Sequence, residues 1–173
     1  MRKIIVTGDT HVESFKDLPP KLVTLMNEAD IVVHTGDFTG YELYRAMHKK
    51  YNLRAVSGNL DDERIKTEVP AEVTFEVEDL RFGVVHAGNY LNEFHDLGYR
   101  AKELGVDVLF FGHVHRFVVE RFGDVVVISP GSPTIPRLSA ASCAEVFVNG
   151  RKLDVKFKLV QDVVCGVDVK SYD

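Results

Sequence analysis

The sequence predicts an α/β fold in which two mixed sheets pack face to face and helices cover their outer sides. Three observations carry that prediction. Short apolar runs closed by glycine alternate with amphipathic helical patterns through the first part of the chain. Farther on, strand signals crowd together with tight-turn signals between them. Only three helical patterns accompany these strands, too few to cover every face, so the sheets must cover each other.

The elements follow in order. Ile4-Ile5-Val6 reads as a buried strand that opens at Gly8 into Asp9-Thr10-His11. Leu18-Pro19-Pro20 then introduces a helix with Leu22, Leu25, Met26 and Ala29 on one face, the prolines at its start where they are tolerated. Ile31 to His34 is the next strand and ends in Thr35-Gly36-Asp37. A second helix carries Leu43, Ala46 and Met47, and His48-Lys49-Lys50 reads as its solvated end. Leu53 to Val56 is a short strand running into Ser57-Gly58-Asn59-Leu60-Asp61. Strand, loop and helix in repetition imply a parallel sheet with crossover connections.

The rhythm then changes. Val73 to Val77 and Leu80 to His86 form a hairpin about Glu78-Asp79. A third helix, with Leu97, Ala101 and Leu104, stops at Gly105. Val108 to Phe111 is a buried strand ending in Gly112-His113-Val114-His115. Val118 to Arg121 and Val125 to Ile128 flank a turn at Gly123-Asp124, and Pro130 to Pro136 is a loop rich in proline and glycine. Two last strands flank Asn149-Gly150, a strong hairpin signal.

With 173 residues, 45% of them hydrophobic and 27% charged, the chain is expected to fold as one domain over 1–173. No run is long and apolar enough to span a membrane and no signal-peptide pattern opens the chain, so a cytoplasmic protein with no membrane partner is expected. A net charge of -5 and scattered Lys and Arg disfavour nucleic acid as a partner. Cys143 and Cys165 make neither a disulfide framework nor a zinc knuckle and read as buried thiols. The sequence is compatible with a homo-oligomer and does not decide it.

Seven residues of cation-binding types lie just past predicted apolar strands: Asp9, His11, Asp37, Asn59, His86, His113 and His115. In four of these loops a glycine, Gly8, Gly36, Gly58 or Gly112, immediately precedes the first ligand-type residue. Glycine there is read as giving the tight turn that aims the next side chain inward. Imidazole nitrogen with carboxylate and amide oxygen suits manganese, iron, zinc, cobalt or nickel better than magnesium or calcium. Seven ligands exceed one tetrahedral site and fit two metals that share a carboxylate.

Gly-Asp-Thr-His (8–11), Thr-Gly-Asp (35–37), Ser-Gly-Asn (57–59), Val-His-Ala-Gly (85–88) and Gly-His-Val-His (112–115) resemble, in order and placement, the calcineurin-like metallophosphoesterases. Asn59-Leu60-Asp61, the compact length, and the loop from Ser129 to Arg137 look most like the small YfcE-type phosphodiesterases. The resemblance implies a four-layer α/β/β/α sandwich. It also implies two divalent ions, manganese first, with nickel, cobalt, iron or zinc as alternatives. Asp9, His11 and His115 would hold one ion, Asn59, His86 and His113 the other, and Asp37 would bridge them. The implied activity is hydrolysis of a small phosphodiester by attack of a metal-bridging hydroxide. Two ions bring four positive charges, two carboxylates and a hydroxide remove three, and a diester monoanion would neutralise the remainder.

The sequence departs from the wider family at Leu60, where many relatives carry a histidine held to protonate the leaving group. Asp61 is the nearest titratable side chain, with a loop-bracing role as the rival reading. His34 is expected to be a hydrogen-bonded packing residue, and His48 and His95 surface or packing residues of helices. Arg137 reads either as a phosphate ligand or as one half of a structural pair. Phe110-Phe111 is read as core. The alternative function is an interaction scaffold with a vestigial metal site, since the small subunit of the retromer coat resembles the same fold.

Overall fold

A computed structural model describes residues 1–88, 94–137 and 139–161. Its strands are β1 (Arg2–Thr7), β2 (Ile31–His34), β3 (Leu53–Ala55), β4 (Glu72–Val77), β5 (Leu80–Val85), β6 (Val108–Phe110), β7 (Phe117–Phe122), β8 (Val125–Pro130), β9 (Ser142–Asn149) and β10 (Lys152–Leu159). The helices are α1 (Pro20–Asn27), α2 (Tyr41–Lys50), α3 (Glu63–Glu68) and α4 (His95–Glu103), with one 3-10 turn at Phe15–Asp17.

Two five-stranded sheets form, in the orders β10-β9-β1-β2-β3 and β4-β5-β6-β8-β7. Strands β1, β2 and β3 run parallel, with Ile4 beside Ile31 and Val32 beside Leu53. β9 returns antiparallel on the other side of β1, placing Val146 beside Ile4. In the second sheet β5, β6 and β8 are parallel, while β4 and β7 lie antiparallel at the edges.

Alternation along the strands sends side chains into three separate cores. Ile4, Val6 and Val33 of the first sheet meet Phe82, Val84, Phe110 and Ile128 of the second, which is the seam between the sheets. Ile5 and Val32 point the other way, onto Leu22, Met26, Leu43, Met47 and Ile65 of α1, α2 and α3. Leu109, Phe111 and Val127 pack under α4 against Leu97 and Ala101. Helix, sheet, sheet, helix are therefore the four layers. Each fully buried Leu, Ile, Val or Phe side chain contributes about 1.5–3 kcal/mol relative to exposure.

The structure corrects three expectations. Among the described residues there are four α-helices rather than three. α3 was hidden because Ile65 is its one buried residue, so no apolar periodicity marks it; its signal is the cap, the Asp62 carboxylate accepting from the Ile65 N–H at 2.8 Å. The last hairpin turns one residue later than Asn149-Gly150, because Asn149 pairs with Lys152 and the turn residues are Gly150 and Arg151. β3, β5 and β6 each end one residue sooner than expected, at Ala55, Val85 and Phe110. Cys143 is buried, and burial pushes its thiol up to about 12, so it stays protonated; Cys165 lies outside the described residues. Among the described residues no helix is long and apolar enough to cross a membrane.

Candidate metal centre

The carboxyl ends of β1, β2, β3, β5 and β6 converge, and backbone hydrogen bonds stitch their loops together. The Asp9 N–H donates to the Gly36 carbonyl at 2.9 Å, His11 to the Asp37 carbonyl at 3.2 Å, and Gly112 to the His86 carbonyl at 2.9 Å. Five of the seven ligand-type residues adopt left-handed backbone: Asp9 (φ 48°), His11 (45°), Asp37 (56°), His113 (70°) and His115 (55°). Asp and His tolerate that region better than branched residues do, yet five in one place is a concentration of strain of the kind found at functional sites.

The glycines work differently from the sequence reading. Gly36 alone among Gly8, Gly36, Gly58 and Gly112 has positive φ, at 97°. At Gly58 the requirement is close approach: a Cβ would lie 2.1 Å from Asp37 Oδ1. The loops pack backbone against ligand, and a side chain would wedge them apart.

Two groups emerge. Asp9, His11 and His115 form one and Asp37, His86 and His113 the other, with the ligand atoms of each group within 4.8 Å of one another. Asn59 joins the second, its Oδ1 lying 2.9 Å from His86 Nε2 and 3.0 Å from His113 Nδ1. Asp37 Oδ2 stands between the groups, 3.4 Å from His86 Nε2 and 3.8 Å from His11 Nε2. Asp9 (0%), Asp37 (1%), His115 (3%) and His86 (6%) are almost sealed from solvent.

Surrounding groups orient these side chains. His86 Nδ1–H donates to the Thr35 carbonyl at 2.8 Å and His115 Nδ1–H to the Ile135 carbonyl at 2.6 Å. Both rings therefore turn Nε2 toward the centre, as metal-bound histidines do. The His113 N–H donates to Asp9 Oδ2 at 2.8 Å and the Leu60 N–H to Asp37 Oδ1 at 2.8 Å. The donor set fits a divalent cation for a simple reason. His86 Nε2 faces Asn59 Oδ1 and Asp37 Oδ2, and His115 Nε2 faces His11 Nε2 at 3.3 Å. Acceptor lone pairs meeting like this need a proton or a metal between them.

Electrostatics agree. Burial pushes Asp9 up to about 7, with Asp37 adding to the rise against the opposing charge of His86. Burial would also raise Asp37, but its hydrogen bond and charge interaction with His86 outweigh that and hold it below the usual carboxylate range. His86 is raised: burial opposes its charge, and Asp37 and Asp9 prevail. His11, His113 and His115 are lowered, chiefly by burial, so they offer neutral nitrogen.

The other sequence candidates separate cleanly. His34 is fully buried, accepts from the Gly36 N–H at 3.2 Å, contacts Thr10 Oγ1 at 3.1 Å and stacks on Phe38; it is a packing residue. His48 and His95 are exposed on α2 and α4. Asp61 (3% exposed) accepts from the backbone N–H groups of Asp37 (3.1 Å), Thr39 (2.8 Å) and Gly58 (2.7 Å), so it braces the loops. Leu60 projects outward, 57% exposed. Sequence reasoning missed Thr35 and Ile135, which act through backbone carbonyls and leave no side-chain signature. It also missed Ser132, whose Oγ donates to the Asp9 carbonyl at 2.7 Å and ties the proline-rich loop to the first ligand loop.

Residues 1–149 match the model of the calcineurin-like phosphoesterase superfamily domain. The chain belongs to that superfamily. It is 31% identical over 162 residues to a probable metallophosphoesterase of Methanothermobacter thermautotrophicus, covering 92% of this chain and 94% of that protein. It is 30% identical over 145 residues to a protein named phosphodiesterase from Methanocaldococcus jannaschii, covering 75% of this chain and 82% of the relative. Among solved structures, Vps29 of Chaetomium thermophilum superposes with a TM-score of 0.76 at 23% identity, over 95% of this chain and 97% of that one. Vps29 of Entamoeba histolytica in complex with zinc gives 0.72 at 20% identity, over 90% and 97%. The structural likenesses show the fold of this calcineurin-like phosphoesterase, whose family is metal-dependent, and the two groups that could hold a metal ion lie at its strand ends.

Proposed function

We propose that the chain is a dinuclear metal-dependent phosphodiesterase acting on small diesters, with manganese as its first-choice ion and nickel, cobalt, iron or zinc compatible with the same ligands. One observation carries the reading: Asp37, a member of the second three-residue group, has its Oδ2 within 4 Å of a histidine from each of the two groups. When bound, two divalent ions would polarise a phosphoryl oxygen and lower the pKa of a water enough for attack near neutral pH. Asp9, His11 and His115 would hold one ion, and Asn59, His86 and His113 the other. The chain's own part is preorganisation. Thr35 and Ile135 fix the rings of His86 and His115, His113 N–H fixes the Asp9 carboxylate, and Leu60 N–H fixes that of Asp37. Nothing at position 60 donates a proton, and both Asp61 oxygens are occupied by backbone N–H groups, so the leaving oxygen must depart unaided by either.

The experiment is metal analysis of protein purified without chelator, followed by manganese loading and assay with bis(p-nitrophenyl) phosphate. Two ions per chain with turnover support the proposal. A loaded protein that binds less than one ion and turns nothing over would leave the scaffold reading in its place.

A further inference from the structure

The loops after β3 and β5, the start of β4 and helix α4 enclose a cavity of about 590 Å³ beside the candidate metal centre. Asn59 and His86 stand in its wall and in the second ligand group at once, and they meet at 2.9 Å through Asn59 Oδ1 and His86 Nε2. A phosphate held at that group therefore has this space next to it. The volume is that of a small-molecule site.

The wall has two characters. Val85 and Leu97 come from the core under α4, and the exposed ring of Tyr99 adds an aromatic face. The charged side chains among the described lining residues, apart from the ligand His86, are Glu72, Asp96, Arg100 and Glu103. Asp96 Oδ2 lies against the backbone at Gly88, where an added Cβ would meet it at 2.5 Å. A solitary arginine in such a wall would bind an anion. Arg100 is not solitary: Nη1 donates to Glu103 Oε2 at 2.8 Å and Nη2 donates to Glu72 Oε2, so carboxylates engage it from two sides. Three carboxylates and one guanidinium leave two negative charges in surplus. A wall of that sign repels a carboxylate or a second phosphate and attracts an ammonium.

We propose that this cavity receives one ester arm of the substrate, and that its carboxylates select an arm ending in a cation over one ending in an anion. The inference rests on the phosphodiesterase reading above and deepens it. The preferred diester is zwitterionic, with its phosphate at the ligand groups and its cation among Glu72, Asp96 and Glu103. The face of Tyr99 suits both an alkyl stem and an ammonium.

The test is calorimetry on the manganese-loaded full chain with three single-armed phosphates of similar length: 4-aminobutyl phosphate, pentyl phosphate and 4-carboxybutyl phosphate. Inorganic phosphate, which has no arm, is the control. The aminobutyl ester should bind about 3–5-fold more tightly than the pentyl ester and ~10-fold more tightly than the carboxybutyl ester, with the differences shrinking in high salt. Glu72→Gln combined with Glu103→Gln removes the surplus, so the order should vanish or invert while metal content, melting temperature and inorganic phosphate affinity stay as in the unmodified chain. Equal affinities for the three esters in the unmodified chain would overturn the inference, as would an order that survives in the double variant. Either result, with inorganic phosphate still bound, leaves the phosphodiesterase reading standing. A chain that loads no metal and binds none of the four phosphates sinks that reading and this inference together.

Discussion

At one end of the sandwich, two-residue turns close three hairpins, at Glu78-Asp79, Gly123-Asp124 and Gly150-Arg151. At the other end, the loops after β1, β2, β3, β5 and β6 gather the ligand-type residues. Both ends need left-handed backbone. The hairpin end mostly gives it to glycine, at Gly123 (φ 63°) and Gly150 (58°), and holds itself with exposed pairs such as Arg151–Asp107 at 2.7 Å and the N-terminus–Glu78 at 3.4 Å. Such pairs contribute at most about 1 kcal/mol each. The ligand end gives the same backbone conformation to Asp9, His11, Asp37, His113 and His115, with three of them almost wholly buried. At the hairpins strain is relieved by glycine; at the ligand end Asp and His side chains are kept despite it, and the hydrogen bonds around them hold the loops.

That contrast can be broken or sharpened by experiment. The largest effect is expected from Asp37→Asn, which removes the carboxylate that stands between the two groups. Metal content and turnover should fall together, by well over the ~10–100-fold typical of altering a residue behind a ligand; wild-type turnover would end the two-metal reading. Leu60 comes next. Nitrophenyl diesters should be cleaved well and alkyl diesters poorly, giving a steep plot of rate against leaving-group pKa, and Leu60→His should raise the alkyl rates by up to ~10²–10⁴-fold. A plot already flat in the unmodified protein, with chemistry rate-limiting, would reveal an acid not identified here.

The two ends are compared directly by alanine at one glycine from each. Gly58→Ala puts a Cβ 2.1 Å from Asp37 Oδ1 and should lower metal affinity roughly 10–100-fold, read by calorimetry. Gly123→Ala meets no atom within 4 Å, suffers only its positive φ, and should cost about 1 kcal/mol of stability with metal affinity unchanged.

Between these lies an effect of opposite sign. Burial raises Asp9 to about 7 from 3.8. Between those values the metal-free folded chain keeps a proton that the unfolded chain has released. Stability from this group is therefore highest below about pH 4, falls as the pH climbs, and levels off above about pH 7. Asp9→Asn should raise the melting temperature of the metal-free protein by a few degrees at pH 8, roughly 5 °C, and leave it nearly unchanged at pH 4. A variant melting lower than wild type at pH 8 without metal would contradict this.

Much of the fold can be read from the chain because β1, β2 and β6 are dense apolar runs with a fixed alternation, and α1, α2 and α4 have repeating apolar faces. α3 lacks such a face and escaped notice. The candidate ligands are readable as residue types because each follows a strand that ends where the others end. What could not be read is whatever acts through the main chain: the Thr35 and Ile135 carbonyls, and the three N–H groups that engage Asp61. Backbone acceptors and donors are carried by every residue alike. The role of Gly58 was misjudged for a related reason, since a close approach between loops distant in sequence leaves no local trace.

Each ligand group draws on both sheets. Asp9 and His11 follow β1 in one sheet while His115 follows β6 in the other; Asp37 follows β2 while His86 and His113 follow β5 and β6. An occupant of these groups is thus a clasp across the seam, and its binding energy becomes part of what keeps the halves of the sandwich shut. At a free-ion concentration about a hundred times the dissociation constant, that clasp adds roughly 2.7 kcal/mol per ion against unfolding. Among the described residues the hairpin end offers no such group, so the seam should open from there, and ions held at the other end would add to how firmly the molecule is closed.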